Sequence, residues 1–167
     1  MKGTAKSYPA LREYIESVPL VDCHDHTTAS GPKYVDPIHV IVNGYFRSDL
    51  LSASSDRDMA FLEDRTVPWE QRWPVLEKAW KRTCHTGYAQ TVRRLLKRFY
   101  GEDELTLDAM KRMQPKLLDL TDDATFEGIL AEANIAVRLE NVLQDVVKQI
   151  ISGSLKLSPR GRLVIRL

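Results

Sequence analysis

Two histidines one residue apart, His24 and His26, are the residues of this chain most suited to chemistry. They sit in Asp22-Cys23-His24-Asp25-His26, directly after the apolar run Val18-Pro19-Leu20-Val21. In an extended strand side chains alternate between faces, so Asp22, His24 and His26 project to one side and Val21 and Cys23 to the other. Two imidazoles at i and i+2 on a rigid strand can hold one divalent cation from the same direction. Neutral imidazole suits zinc first, with manganese or another transition metal as alternatives. A His-x-His pair also arises by chance, and on an exposed edge strand it binds nothing. The apolar lead-in and the flanking acids favour ligation, since a carboxylate often orients a ligating imidazole. Asp25 falls on the opposite face, so it is expected to orient a neighbour or bind backbone at the turn.

The elements that must position this pair follow from periodicity. Leu11, Tyr14, Ile15 and Val18 stand at helical spacing after Pro9, so residues 10–18 read as a short amphipathic helix ended by Pro19. The strand bearing the histidines comes next. Gly31-Pro32, Asp36-Pro37 and Asn43-Gly44 are turn signals and 48–58 is rich in Ser and Asp, which predicts a long irregular stretch. Its Tyr34, Tyr45, Phe46 and Arg47 are candidates to line a pocket above the strand, with Tyr45 and Arg47 as the substrate-binding pair. A surface excursion with its own small apolar cluster fits the same residues.

From residue 69 the pattern is helical. Trp69, Trp73, Leu76 and Trp80 form a core stripe at i, i+4, i+7 and i+11, which Pro74 should kink or split. The clearest helix is 86–100, with Tyr88, Val92, Leu95, Leu96 and Phe99 on one face and Gly101 as the stop. Its polar side is Arg93, Arg94, Lys97 and Arg98. The two apolar stripes are expected to pack as an antiparallel helix pair. Two further helices are predicted over 108–120 and 122–133. Ile135-Ala136-Val137-Arg138-Leu139 reads as a second strand, parallel to the first because helices fill the interval. Residues 141–152 read as one more helix. After Asp145 no Asp or Glu occurs, so 146–167 reads as an atypical basic tail, of native or non-native origin. Within it, 155–157 and 163–165 are candidate edge strands.

Composition bounds the rest. A chain of 167 residues with 43% hydrophobic and 28% charged residues can build a real core. Its net charge of +1 calls for neither nucleic acid nor an anionic membrane as partner. Cys23 and Cys84 do not make a disulfide framework, and the first nine residues lack an apolar signal segment, so a cytoplasmic setting is expected.

A strand with Asp22-x-His24-x-His26 near the N-terminus resembles the first strand of the metal-dependent amidohydrolase superfamily, in the branch of amidohydrolase-related proteins and uronate isomerases. Thr83-Cys84-His85-Thr86-Gly87-Tyr88, the basic helix after it and Phe99-Tyr100-Gly101 are similar to the helical insertion of that branch. Leu130-Ala131-Glu132-Ala133-Asn134-Ile135 resembles its junction into the second strand. The resemblance runs from about Ser17 to Leu139.

The resemblance implies a helix-rich α/β chain forming the N-terminal part of a (β/α)8 barrel. It places a helical insertion over about 27–120, within a domain over 1–145. It makes His24 and His26 metal ligands, for a hydrolase in which metal-activated water attacks a carbonyl-type bond of a small-molecule substrate. Isomerase-like relatives use the metal to hold a sugar acid. A closed barrel takes roughly 200 residues or more, and His39 and His85 both precede the second strand. The chain is therefore expected to be a truncated portion of such an enzyme, with an incomplete barrel, inactive alone and open to self-association through its strand edges. No catalytic residue is assigned. A non-catalytic helical module is the alternative, or a helical bundle binding nucleic acid or a protein through Arg93, Arg94, Lys97 and Arg98.

Overall fold

The computed structural model describes residues 7–25, 31–142 and 144–164, so His26 lies outside the described residues. In chain order the elements are α1 (Ser7–Ser17), β1 (Leu20–Asp25), α2 (Pro37–Val42), α3 (Phe46–Ala53), α4 (Asp56–Glu63), α5 (Trp69–Thr83), α6 (Gly87–Leu95), α7 (Leu107–Met113), α8 (Asp123–Glu132), β2 (Ile135–Asn141), α9 (Gln144–Ile151) and β3 (Gly161–Val164). They form two compact units, one of Met1–Lys33 with Asp119–Leu167 and one of Tyr34–Leu118.

The first unit is built on a three-stranded sheet in the order β1-β2-β3. Both pairings are parallel, with Leu20 opposite Ile135, Asp22 opposite Arg138 and Asp25 opposite Glu140, then Arg138 opposite Gly161 and Asn141 opposite Val164. Parallel neighbours need a crossover, and α9 supplies the one from β2 to β3. Asn134 makes the turn from α8 into β2 in the left-handed region, at φ 55°, which Asn tolerates better than most residues. Its side-chain amide donates to the Val18 carbonyl at 2.9 Å, and the Leu20 N–H donates to its own carbonyl at 2.8 Å. One residue thus stitches the start of β2 to the start of β1. At Gly161 a Cβ would clash with Glu140 Oε1, so any larger residue would have to displace that buried carboxylate. Along α1, Tyr8, Leu11, Tyr14 and Ile15 are exposed.

The expected barrel is corrected by this sheet. Among the described residues it has three strands of six, seven and four residues and does not close, and Tyr34–Leu118, between β1 and β2, folds as a separate helical unit. Three strands cannot supply the tilt and stagger that close a parallel barrel. The 155–157 segment is not a strand, whereas Gly161–Val164 is.

The helical unit has its own core, with Ile38, Leu50, Leu62, Leu76, Ala89, Leu96, Met110 and Met113 at 0–1% exposure. The irregular stretch expected after β1 is instead three short helices. Asp36 caps α2, accepting from the His39 N–H at 2.8 Å with Pro37 in the first turn, and Ser55 caps α4. Such residues favour turns and helix starts alike, which is why Asp36-Pro37 reads as a turn.

The tryptophan stripe of α5 is buried: Trp69, Trp73, Leu76 and Trp80 are at most 8% exposed. The helix runs unbroken through Pro74, because burial of three indoles offsets the ~3 kcal/mol that a proline costs inside a helix. Its main packing partners are α2, α3 and α4, and Trp80 meets Phe46 edge-on at 5.6 Å. The expected pairing with the Tyr88–Phe99 face gives way to a different arrangement. α6 passes into a π-turn over Leu96–Tyr100, whose wider turn rotates the later side chains. Ala89, Val92, Leu96 and Tyr100 are buried, while Tyr88 is exposed. Gly101, at φ 74°, ends the element.

Candidate functional site

The carboxyl end of a parallel sheet is where α/β folds bind ligands. Here that end carries His24 and Asp25 from β1 and Glu140 and Asn141 from β2. His24 is exposed, and its backbone N–H donates to Asp22 Oδ1 at 3.2 Å. The pairing of β1 with β2 is irregular between Asp22 and Asp25, so strict alternation of faces does not hold to the end of the strand. Asp25 turns inward and accepts from Arg138 Nε at 2.5 Å. Arg138 Nη1 lies 3.6 Å from Glu140 Oε1, and both of these side chains are fully buried. The guanidinium also sits 4.9 Å from the Phe126 ring centre.

This arrangement has a chemical consequence. One buried guanidinium shared by two carboxylates holds the Asp25 side chain in a fixed direction, as charge-assisted hydrogen bonds do. Asp25 therefore positions and does not dangle. Arg138 and Glu140, spaced i and i+2 on β2, were not among the expected site residues. Two opposite charges on one face of a strand were the only signal available for them.

The substrate-binding candidates lie in the helical unit. Tyr45 is exposed and stacks on Tyr88, ring centres 5.7 Å apart. Arg47 makes a two-pronged pair with Glu63, its Nη2 donating to Oε2 at 3.1 Å and its Nε to Oε1. Of the basic face on α6, Arg93 reaches Glu104 at 3.3 Å and stacks 5.1 Å from the Trp80 ring, and Lys97 pairs with Asp103 at 2.6 Å. Arg93 and Lys97 are therefore neutralised locally.

No protein-family model and no curated protein matches the chain. Among the described residues, no group of three or more His, Cys, Asp or Glu is placed to hold a metal ion, and no helix is long and apolar enough to cross a membrane.

A second cluster of polar groups, absent from the expected site, is buried in the helical unit. Arg72 Nη2 donates to Asp36 Oδ2 at 2.6 Å, Nη1 to the Leu62 carbonyl at 2.8 Å and Nε to the Val67 carbonyl at 2.9 Å. His39, on α2 beside them, is 7% exposed, lies 5.2 Å from the Tyr34 ring and has Nε2 2.7 Å from Arg65 Nη2. Burial first, then the charge of Arg65, lower the His39 pKa below 6.5, while Asp36 opposes them.

The folded protein therefore prefers neutral His39 more than the unfolded chain does. That contribution is fully present above the unfolded value of about 6.5 and is lost as pH falls through the lower folded value. Urea midpoints measured at pH 7.5 and 5.5 should drop further in the wild-type protein than in His39→Gln, whose amide oxygen can still accept from Arg65. Equal drops would show that His39 does not contribute.

Proposed function

We propose that the carboxyl end of β1 forms a divalent-metal site of hydrolase type, with His24 and His26 as ligands, in a chain related to the metal-dependent amidohydrolases. The observation that carries this reading is the position of His24, at the carboxyl end of a parallel strand, beside an aspartate held by a buried arginine. The donors fit zinc in kind, since imidazole is a preferred ligand, but two of them leave positions that other groups must fill. When bound, the ion would polarise a substrate carbonyl and acidify water. His24 would hold the ion, and Arg138 keeps the Asp25 side chain directed. A small molecule with a carbonyl-type bond is the substrate class that this chemistry serves.

Two imidazoles alone give weak affinity, so zinc should bind at one equivalent in the micromolar range or weaker, and without turnover by this chain. Competition against a chromophoric chelator measures this, with His24→Ala as control. Because His24 is exposed, that variant should keep its circular dichroism spectrum and lose the zinc. Zinc retained by His24→Ala, or none bound by the wild type, would refute the site. Metal-dependent hydrolysis by the chain alone would show that its ligand set is complete.

A further inference from the structure

The helical unit contains a small cleft of about 40 Å³ lined by His39, Val42, Leu62, Glu63, Arg65 and Arg72. Its charges are unequally matched. Arg72 is satisfied by Asp36 and two carbonyls. Glu63, at the rim, is engaged by both prongs of Arg47. Arg65 has one contact among the described residues, to His39 Nε2 at 2.7 Å, and no carboxylate partner.

That contact fixes the imidazole. A guanidinium can only donate, so Nε2 accepts and the proton of the neutral ring is on Nδ1. His39 Nδ1 is buried with no hydrogen-bond partner among the described residues. That nitrogen has no exposed surface, so a ligand in the cleft does not reach it. What the cleft offers is the guanidinium of Arg65, steadied by His39 Nε2 and without a carboxylate partner among the described residues.

We infer that this cleft is a binding site for a small oxyanion, the carboxylate or phosphate group of a small molecule, held by Arg65, whose guanidinium His39 positions. Its volume is little more than the ~30 Å³ share of one water, so it takes a head group of a few atoms while the remainder of the ligand stays outside. Arg65 supplies the planar fork that grips two oxygens. Arg72 lies behind it as a structural cation already neutralised by Asp36. The site is independent of His24 and of any metal.

The test uses the full chain with sodium acetate, sodium phosphate and sodium chloride at matched ionic strength. The readout is the position of the His39 ring signals in nuclear magnetic resonance spectra. A saturable displacement by acetate or by phosphate, absent with chloride, is expected, and the stronger of the two identifies the head group. Arg65→Gln should weaken it roughly tenfold or more, as loss of a charged hydrogen-bond donor does. Arg65 is exposed, so that variant should fold, and Arg65→Lys should recover part of the affinity. No saturable displacement by either oxyanion, the same displacement by chloride, or undiminished binding by Arg65→Gln would overturn the site.

Discussion

Asp36→Ala is expected to destabilise the helical unit by about 3–5 kcal/mol, because it leaves a buried guanidinium without its counter-charge. The side chains of Arg72 and Asp36 are 2% and 9% exposed and meet at 2.6 Å. With Asp36 removed, Arg72 keeps only the carbonyls of Leu62 and Val67. Those partners satisfy hydrogen bonds but do not neutralise charge. The same substitution removes the cap of α2, worth about 1 kcal/mol. Asp36→Asn separates the two effects, since an asparagine oxygen can still cap the helix while the charge is gone. The order of urea-derived stabilities should be wild type, then Asp36→Asn, then Asp36→Ala. A loss below about 1 kcal/mol for Asp36→Ala, within the range of ordinary surface substitutions, would mean that water reaches Arg72.

The sequence made some of this legible. The two principal strands follow from β-branched, apolar stretches, and their parallel pairing follows from the helices between them. The burial of Trp69, Trp73 and Trp80 follows from spacing alone. Gly101 marks a helix end because only glycine takes that left-handed turn readily. Other features were hidden for physical reasons. Asp36 and Arg72 are 36 residues apart, and local periodicity cannot pair them. The π-turn at Leu96–Tyr100 shifts the buried face by one residue, so that Tyr100 replaces Phe99. The short helices between Pro37 and Glu63 are marked by caps, and caps share their residues with turns. The barrel expectation failed because a motif on one strand constrains that strand and not the number of its neighbours.

The candidate site was partly legible for the same reason. His24 could be placed at a strand end from its neighbours in sequence. What fixes Asp25 beside it is Arg138, which comes from β2, 113 residues later. A strand read by itself predicts alternate faces but names no partner for Asp25. Arg138 is that partner, and its buried guanidinium sets the direction of the carboxylate.

Arg138→Met should accordingly cost the sheet unit about 3–5 kcal/mol, although methionine preserves much of the volume and the contact with Phe126. The cost comes from the carboxylates. Asp25 and Glu140, with side chains 12% and 0% exposed, would lose the guanidinium that they share. Without it, both carboxylates lose a charge-assisted hydrogen bond inside the sheet unit. Arg138→Lys, which keeps a positive charge there, should recover part of the loss. Urea-derived stabilities of the two variants measure it. Equal losses for Arg138→Met and Arg138→Lys would show that the loss is one of packing, and that Arg138 does not hold Asp25 by charge.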